Sequence, residues 1–264
     1  MPVGAQPGGD EQWFAPSFRQ ASVEREAHRS VLRPASRSGK ADPTVWERPD
    51  GRRGPAPSHS RAELAAAAME LAGRGGLAAV STRRIAQQLG VSQSALYRYV
   101  SGRDDVLDLM ADAAAGEIDL GVPLTGVAID DLTALGIRAK DVYVKYPWPA
   151  DIPVEPLRVG PRGIDYLEYA LRAMAAVDAP GQVKLQTVAV LTALAQQFAR
   201  AELDERTANE SRRLAQMAYV REVAGAGRHP YLADALATPD RAAGPGELFE
   251  PLLRRALTGV LTPA

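Results

Sequence analysis

The sequence predicts an all-α fold, and three observations support this prediction. Apolar residues recur at three- and four-residue spacings, which places them on one face of a helix. No stretch alternates apolar and polar residues long enough to indicate a strand. Clusters of proline and glycine separate the apolar stretches and mark where helices end. We expect the longer helices at about residues 127–145, 161–176, 181–204, 207–225 and 246–260.

Composition narrows the class of protein. The 264 residues include no cysteine and only three histidines, which lie far apart in sequence. We therefore expect no disulfide and no metal site, and we predict no cofactor. No apolar run reaches the length of a membrane span, and the first ten residues do not resemble a secretory signal. These features favour a cytoplasmic protein without a membrane partner.

The chain divides into four segments. Residues 1–57 are rich in Pro, Gly, Ser and Arg without a sustained period, which predicts a disordered extension. Its end, at 51–57, is a basic arm that either follows a DNA minor groove or serves as a solvated linker. Residues 58–103 carry a pattern of short helices, 104–118 a connecting helix, and 119–264 a second helical domain.

The short helices form a recognisable unit. Ser60 and Glu63 make a capping box that starts a first helix, and Ser81 and Ser92 stand at the N-cap positions of two more. Between the latter two, Gly90 supplies the left-handed residue that ends a helix. On the last of these helices, the residues that can face inward are Ala95, Leu96, Tyr99 and Val100. The outward residues are Gln93, Ser94, Tyr97 and Arg98.

An outward face of this kind is suited to reading DNA. Its side chains form hydrogen bonds rather than merely carry charge, as contact with base edges requires. The charge distribution agrees, because residues 61–103 carry six Arg and two Glu, whereas residues 104–264 have a net charge of −7. The pattern predicts a helix-turn-helix whose partner is double-stranded DNA.

These residues resemble the tetracycline-repressor family of bacterial regulators. The run from Ser81 to Val100, followed by Gly-Arg-Asp-Asp-Val-Leu at 102–107, is similar to that family's DNA-binding signature, and the resemblance covers about residues 58–118. It implies a three-helix DNA-binding domain followed by a helical ligand-binding and dimerisation domain. It also implies a homodimer that binds a palindromic operator and is released by a small-molecule effector.

The resemblance assigns roles to individual residues. Gln93 and Ser94 occupy base-reading positions, although many members carry Pro or Thr after the first of these. Arg83 lies where the family reaches DNA from the preceding helix, and Thr82 and Tyr97 fall at phosphate-contact positions. Two basic residues, Arg98 and Arg103, complete the set of candidates. Arg98 is equally suited to an ion pair within the protein. The candidates for DNA contact are Thr82, Arg83, Gln93, Ser94, Tyr97, Arg98 and Arg103.

Aromatic residues gather around a proline-rich break at 147–156. They suit two uses, a packed core with an amphipathic rim or the wall of a ligand pocket. The helix at 181–204 favours the pocket, because it is apolar on two sides and both need cover. The candidates for ligand binding are Tyr143, Tyr146, Trp148, Tyr166, Thr187 and Phe198.

The last helix predicts a dimer interface. We expect the rest of the chain to leave its apolar stripe uncovered. This helix and the helix at 181–204 would then pack against the same two helices of a second subunit. The candidates are Phe249, Leu252, Leu253 and Val260.

No residues form a catalytic constellation. Carboxylate pairs such as Asp130 and Asp131 stand at helix ends, where the helix dipole explains them better than acid–base chemistry does. We therefore predict a ligand-responsive regulator and not an enzyme. One alternative is a DNA-binding regulator or DNA-organising protein without an effector, which the long apolar helices after residue 118 disfavour. The other is an enzyme with an appended helix-turn-helix.

Overall fold

The computed structural model describes residues 44–47, 59–152, 159–237 and 244–262, and every regular element within these ranges is helical. The all-α prediction is confirmed. Two short 3-10 turns, Leu77–Ala79 and Trp148–Asp151, accompany the α-helices. The α-helices are α1 (Arg61–Gly75), α2 (Thr82–Gln88), α3 (Gln93–Leu96), α4 (Arg103–Ala115), α5 (Ala128–Lys145), α6 (Pro161–Ala173), α7 (Gly181–Thr207), α8 (Glu210–Gly225), α9 (Pro230–Ala237) and α10 (Pro245–Leu261).

The long helices match their predicted bounds within a few residues, and the differences are at the ends. Helix α6 stops at Ala173, three residues early, and α7 continues to Thr207. Helix α9 was not predicted from the sequence. It has only eight residues, which is shorter than the window of roughly 11–18 residues in which a helical period can be recognised.

Local caps fix the beginning of α1. The Ser60 amide donates to Glu63 Oε2 at 2.7 Å, and the Glu63 amide donates to Ser60 Oγ at 3.2 Å, which completes the expected capping box. The Glu63 carboxylate accepts hydrogen bonds from the Ser60 amide and from the Ser60 hydroxyl, and these lower the pKa of Glu63 below its ordinary value.

Two apolar cores are present. The first is formed by α1 to α4, with Leu64, Ile85, Leu96 and Met110 fully buried. The second is formed by α5, α6, α7 and α10. Helix α4 contacts both sets of helices, because it packs against α1 on one side and against α6 on the other. Its position makes α4 the element that connects the two cores.

The first core includes residues from the N-terminal extension. Val45 is fully buried in it, and Trp46 packs against it. The prediction of a disordered extension over residues 1–57 is therefore wrong at residues 44–47. Single apolar residues without a period carry no signal of burial, which explains the difference. Two features of the sequence lie outside the described residues, namely residues 20–33, whose early glutamates and late arginines favour a helix, and the basic arm at 51–57.

The last helix lies inside the second core, which corrects the predicted interface. Phe249 and Leu253 are buried by their own chain. The Phe249 ring lies 5.3 Å from that of Phe198, and a Cβ atom at Gly136 would overlap Leu253 Cδ2, so α5 and α10 approach closely. Leu252 and Val260 lie on the adjacent stripe and are partly exposed. The helix presents two apolar stripes, and its own chain covers one of them.

Candidate DNA-binding surface and ligand cavity

The candidate DNA-binding surface is built on α2 and α3. The Ser92 hydroxyl accepts from the Ala95 amide at 3.2 Å and so caps α3, and Gly90 has φ of 67°, in the left-handed region. The inward side chains of α3 and the turn after it anchor the surface, since Leu96, Tyr99 and Val100 are buried. The outward residues Gln93, Ser94, Tyr97 and Arg98 are all exposed, as the sequence predicted. The predicted helix is shorter than expected, because α3 ends at Leu96 and a turn carries Tyr97 and Arg98.

Two of the predicted DNA-contact residues touch each other. The Gln93 side-chain amide donates to Thr82 Oγ1 at 3.2 Å, which links the start of α3 to the start of α2. Arg83 is exposed beside them on α2. The three side chains therefore belong to one continuous polar surface, although they come from two helices.

Arg103 has a structural role in addition to the one predicted for it. Its Nη1 donates to the Val80 carbonyl at 2.8 Å, and its Nη2 donates to the Leu77 carbonyl at 2.8 Å. These bonds satisfy carbonyls of the turn before α2 and tie it to the first residue of α4. The sequence did not indicate this contact, because the two partners are backbone atoms more than twenty residues away.

A cavity of about 640 Å³ lies among α4, α5, α6, α7 and the 3-10 turn after α5. Every described residue that lines it is uncharged, and most are alanine, aliphatic or aromatic. A cavity of this size and character suits a small organic molecule. The lining residues include Ala111, Ala114 and Ala115 of α4, Tyr143 of α5, Tyr166 and Leu167 of α6, and Leu185, Val188, Thr192 and Gln196 of α7.

The polar groups of the lining occur in two pairs. The Tyr166 hydroxyl lies 3.3 Å from Thr192 Oγ1, and Tyr143 shares a hydrogen bond with Gln196. Desolvation raises the pKa of Tyr143 to about 12 and also raises that of Tyr166. Both phenols are therefore neutral near pH 7, where each hydroxyl is both a donor and an acceptor.

Tyr143 and Tyr166 line the cavity, whereas the other four predicted ligand-binding residues lie elsewhere. Thr187 and Phe198 lie on the core side of α7, where the Thr187 hydroxyl donates to the Val183 carbonyl at 2.8 Å. The helical phase explains their position. Cavity residues of α7 such as Thr192 project on a different side from the core residues.

The aromatic residues Tyr146 and Trp148, next to the proline-rich break, make contacts outside the cavity. Trp148 is buried in the first core, with its ring 6.2 Å from that of Tyr146. The Tyr146 hydroxyl donates to Glu117 at 2.6 Å, and Lys145 pairs with the same carboxylate. These bonds lower the pKa of Glu117 and tie the chain just after α4 to the end of α5.

Sequence reasoning missed several residues of the cavity. The three alanines of α4, together with Thr192, line it without being large or aromatic. A small side chain indicates a cavity only when it is known which helices face it. The sequence therefore offered no signal for these residues.

Two family models match the chain. The model described as bacterial regulatory proteins, tetR family, matches residues 64–110, and the model described as tetracyclin repressor-like, C-terminal domain, matches residues 122–263. Together they cover most residues of both cores. This chain belongs to the TetR family of bacterial regulators. The resemblance inferred from residues 58–118 is confirmed, and this TetR-family chain has residues 1–63 outside both matches.

Curated relatives of this TetR-family protein are transcriptional regulators. An HTH-type transcriptional regulator of Saccharopolyspora erythraea is 33% identical over 141 residues, which span 53% of this chain and 60% of that protein. The HTH-type transcriptional repressor DrrR1 of Streptomyces coeruleorubidus is 27% identical over 192 residues, 69% of this chain and 70% of its own length. The first match therefore spans less than two thirds of the relative.

Solved structures share the fold. Apo ActR of Streptomyces coelicolor has a TM-score of 0.66 at 22% identity, over 79% of this chain and 97% of its own. ActR in complex with actinorhodin has a TM-score of 0.64 at 22% identity, over 77% and 97% of the two chains. Within the part of this chain that the structure describes, no helix is both long and apolar enough to cross a membrane.

Proposed function

We propose that this protein is a transcriptional repressor that binds a palindromic operator as a homodimer and releases it when a small molecule fills the cavity. One observation carries the proposal. Helix α4 is tied at Arg103 to the turn that precedes α2, and one wall of the cavity is formed by its other end, through Ala111, Ala114 and Ala115. A ligand in the cavity therefore touches the element that begins beside the DNA-binding surface.

We assign the DNA contacts to the exposed surface of α2 and α3. Gln93 and Ser94 would read base edges, because they are the first outward residues of α3. Thr82 and Tyr97 would hold phosphates, and the arginines would add counterion release. The basic residues are Arg83, Arg98 and Arg103. We assign residues 58–103 to this function, 104–118 to the connection, and 119–264 to sensing and dimerisation.

The lining supports an uncharged ligand. No charged side chain among the described lining residues compensates a buried ion, so a charged compound would lose its hydration without gaining a partner. The Tyr143–Gln196 and Tyr166–Thr192 pairs support a mostly apolar molecule with a few polar atoms at one wall. The complexes of ActR with actinorhodin and with (S)-DNPA support a small molecule on this fold.

Coupling through α4 would act in both directions. A coupling free energy of about 1–3 kcal/mol changes operator affinity roughly 5- to 150-fold. Because binding equilibria are linked, operator DNA must weaken ligand binding by the same factor. A ligand that leaves operator affinity unchanged would show that the cavity is not a regulatory site.

We propose that the dimer uses the outward stripes of α7 and α10. Val190 and Leu194 of α7 are partly exposed, as are Leu252 and Val260 of α10. Two such helices from each subunit form a four-helix bundle with a self-complementary two-fold interface. The same two-fold axis would set the separation of the DNA half-sites.

Selection of duplexes from a pool of genomic fragments tests the proposal. We expect the full-length protein to enrich fragments with palindromic half-sites, and thermal shifts to identify uncharged aromatic compounds over their carboxylated analogues. Compounds that shift the melting temperature should also release the selected duplex. Enrichment no better than random DNA would overturn the assignment, and enrichment without any effective compound would favour a regulator without an effector.

A further inference from the structure

The four described residues of the N-terminal extension contact the first core, to which α4 belongs, and the residue before α6. Val45 has no exposed surface and lies in the core shared by α1 and α4. Glu47 closes the turn, since its carboxylate accepts from the Thr44 amide at 2.9 Å and from the Thr44 hydroxyl at 3.1 Å. The turn places the Trp46 ring against Gly160, the residue before α6.

The space around Gly160 is filled by Trp46 and Asp112. A Cβ atom at Gly160 would lie 2.5 Å from Trp46 Cζ2 and would overlap the Asp112 carboxylate. Its φ of −93° is accessible to any residue, so the close approach and not the backbone conformation requires glycine here. The extension, α4 and the start of α6 therefore meet at one point.

Asp112 connects α4 to α6 at this point. Its Oδ1 accepts from the Arg162 amide at 2.9 Å and from the Gly163 amide at 3.0 Å, which are the free amides of the first turn of α6. Asp112 itself is buried. Both helices line the cavity within one turn of this contact, through Ala111 and Gly163. Separation of α4 from α6 therefore requires these hydrogen bonds to break.

Residues 44–47 lie before both segments matched by the family models, which begin at residue 64. The solved ActR structure is covered over 97% of its length by an alignment that spans 79% of this chain. The contact is thus made by a part of this chain that the family models do not include.

We propose that residues 44–47 form an N-terminal clamp that holds α4 against the first turn of α6 and so raises the resistance of α4 to displacement by a ligand. The proposal rests on the function proposed above, and it identifies Trp46 as the positioning residue. Trp46 is neither among the residues that line the cavity nor on the exposed surface of α2 and α3, so it acts through the Asp112–α6 contact.

Hydrogen exchange of the full-length protein, without DNA or ligand, tests the clamp. We expect Trp46→Ala to speed exchange of the amides in residues 160–166 about tenfold or more, because the Asp112 hydrogen bonds lose their cover. Exchange in α10 should stay within twofold of the parent. Trp46→Phe, which keeps an aromatic ring, should restore most of the protection at 160–166.

A second measurement uses a duplex selected by the parent protein. We expect binding of this duplex to slow exchange in α2 and α3 and, through α4, at residues 160–166. In Trp46→Ala the slowing at α2 and α3 should persist, and the slowing at 160–166 should fall by at least half. A merely structural role would reduce protection throughout the first core instead.

The outcomes distinguish the clamp from the proposed function. Unchanged exchange at 160–166 in Trp46→Ala overturns the clamp, whatever the protein does with DNA. Exchange that increases equally in α10 also overturns it, because the substitution then destabilises the whole fold. Failure of the parent to select any duplex overturns the proposed function, and the exchange comparison without DNA is unaffected by that result.

Discussion

The DNA-binding surface and the cavity differ in how the chain assembles them. The surface uses outward side chains of two short helices, joined by the Gly90 turn and held by serine caps and buried neighbours. The cavity takes residues from four helices and a 3-10 turn, which lie far apart in sequence. A substitution at the surface should therefore act locally on DNA affinity. A substitution in the helices around the cavity should act on stability or on ligand binding, according to the helix face that it occupies.

Phe249→Asp is expected to have the largest effect, because it places a charge in the second core. Phe249 is 1% exposed and packs on Phe198, so we expect a loss of more than about 3–5 kcal/mol in the free energy of unfolding. Leu252→Asp, on the adjacent outward stripe, should keep the fold and weaken the dimer. Thermal denaturation and sedimentation of the two variants distinguish these effects. A folded, monomeric Phe249→Asp protein would show that this residue belongs to the interface after all.

Gln93→Ala should affect DNA recognition and leave stability almost unchanged. We expect a loss of about 1–3 kcal/mol in binding to the selected duplex, with relaxed preference at one base pair of each half-site, if its contact is bidentate. Tyr97→Phe is the matched control, because its exposed hydroxyl is assigned to phosphate and its loss should weaken all duplexes similarly. Titrations on the selected duplex and on single-base variants measure both effects. Equal losses on all duplexes for Gln93→Ala would contradict its role in base reading.

Asp112→Ala should cost about 1–2 kcal/mol of stability, because two amides of α6 lose their acceptor. Asp112→Asn keeps an acceptor oxygen and should be close to the parent. Chemical denaturation at pH 7 compares the three proteins. Equal losses for the two variants would show that the charge, and not the hydrogen bonds, stabilises the contact.

The Asp112 carboxylate also predicts a pH dependence. Burial raises its pKa, an effect that its hydrogen bonds from Gly163 and Arg162 partly offset. A carboxyl group with a raised pKa binds its proton more tightly in the folded state, so its contribution to stability is greatest at low pH and is lost as the pH rises through that pKa. Asp112→Asn removes this contribution. The stability difference between Asp112→Asn and the parent should therefore change in favour of the variant as the pH rises from below 3.8 to neutral.

Ala111→Leu should have the smallest effect on stability, because the cavity has room for the added side chain. We expect a change in the free energy of unfolding below about 0.5 kcal/mol and a loss of about tenfold or more in affinity for a cavity ligand. Ala175→Leu, at an exposed position outside the cavity, is the control for added hydrophobic surface. Calorimetric titration with a compound found by thermal shift measures the difference. Unchanged affinity in Ala111→Leu would place the ligand elsewhere.

The sequence was most informative where neighbouring residues determine the structure. Ser60, Ser81 and Ser92 cap helices as predicted, since a cap depends only on hydrogen bonds within one turn. Glycine with positive φ at Gly90 and Gly76 similarly reflects local backbone sterics. The outward face of α3 followed from helical periodicity once these boundaries were known.

Tertiary structure decided which of several apolar faces is buried. The sequence showed that α7 is apolar on two sides and that α10 carries an apolar stripe, but periodicity alone does not distinguish a core face from a cavity face or an outward one. Packing placed Phe249 and Leu253 inside, Phe198 beside them, and Thr192 at the cavity. The burial of Val45 in the first core and the contact of Trp46 with Gly160, which lies more than a hundred residues further along the chain, likewise depend on the packing of separate elements. Hydrogen bonds between neighbouring residues determine where each helix begins and ends. Which face of a helix is buried, lines the cavity or faces outward depends on all the helices that pack against it.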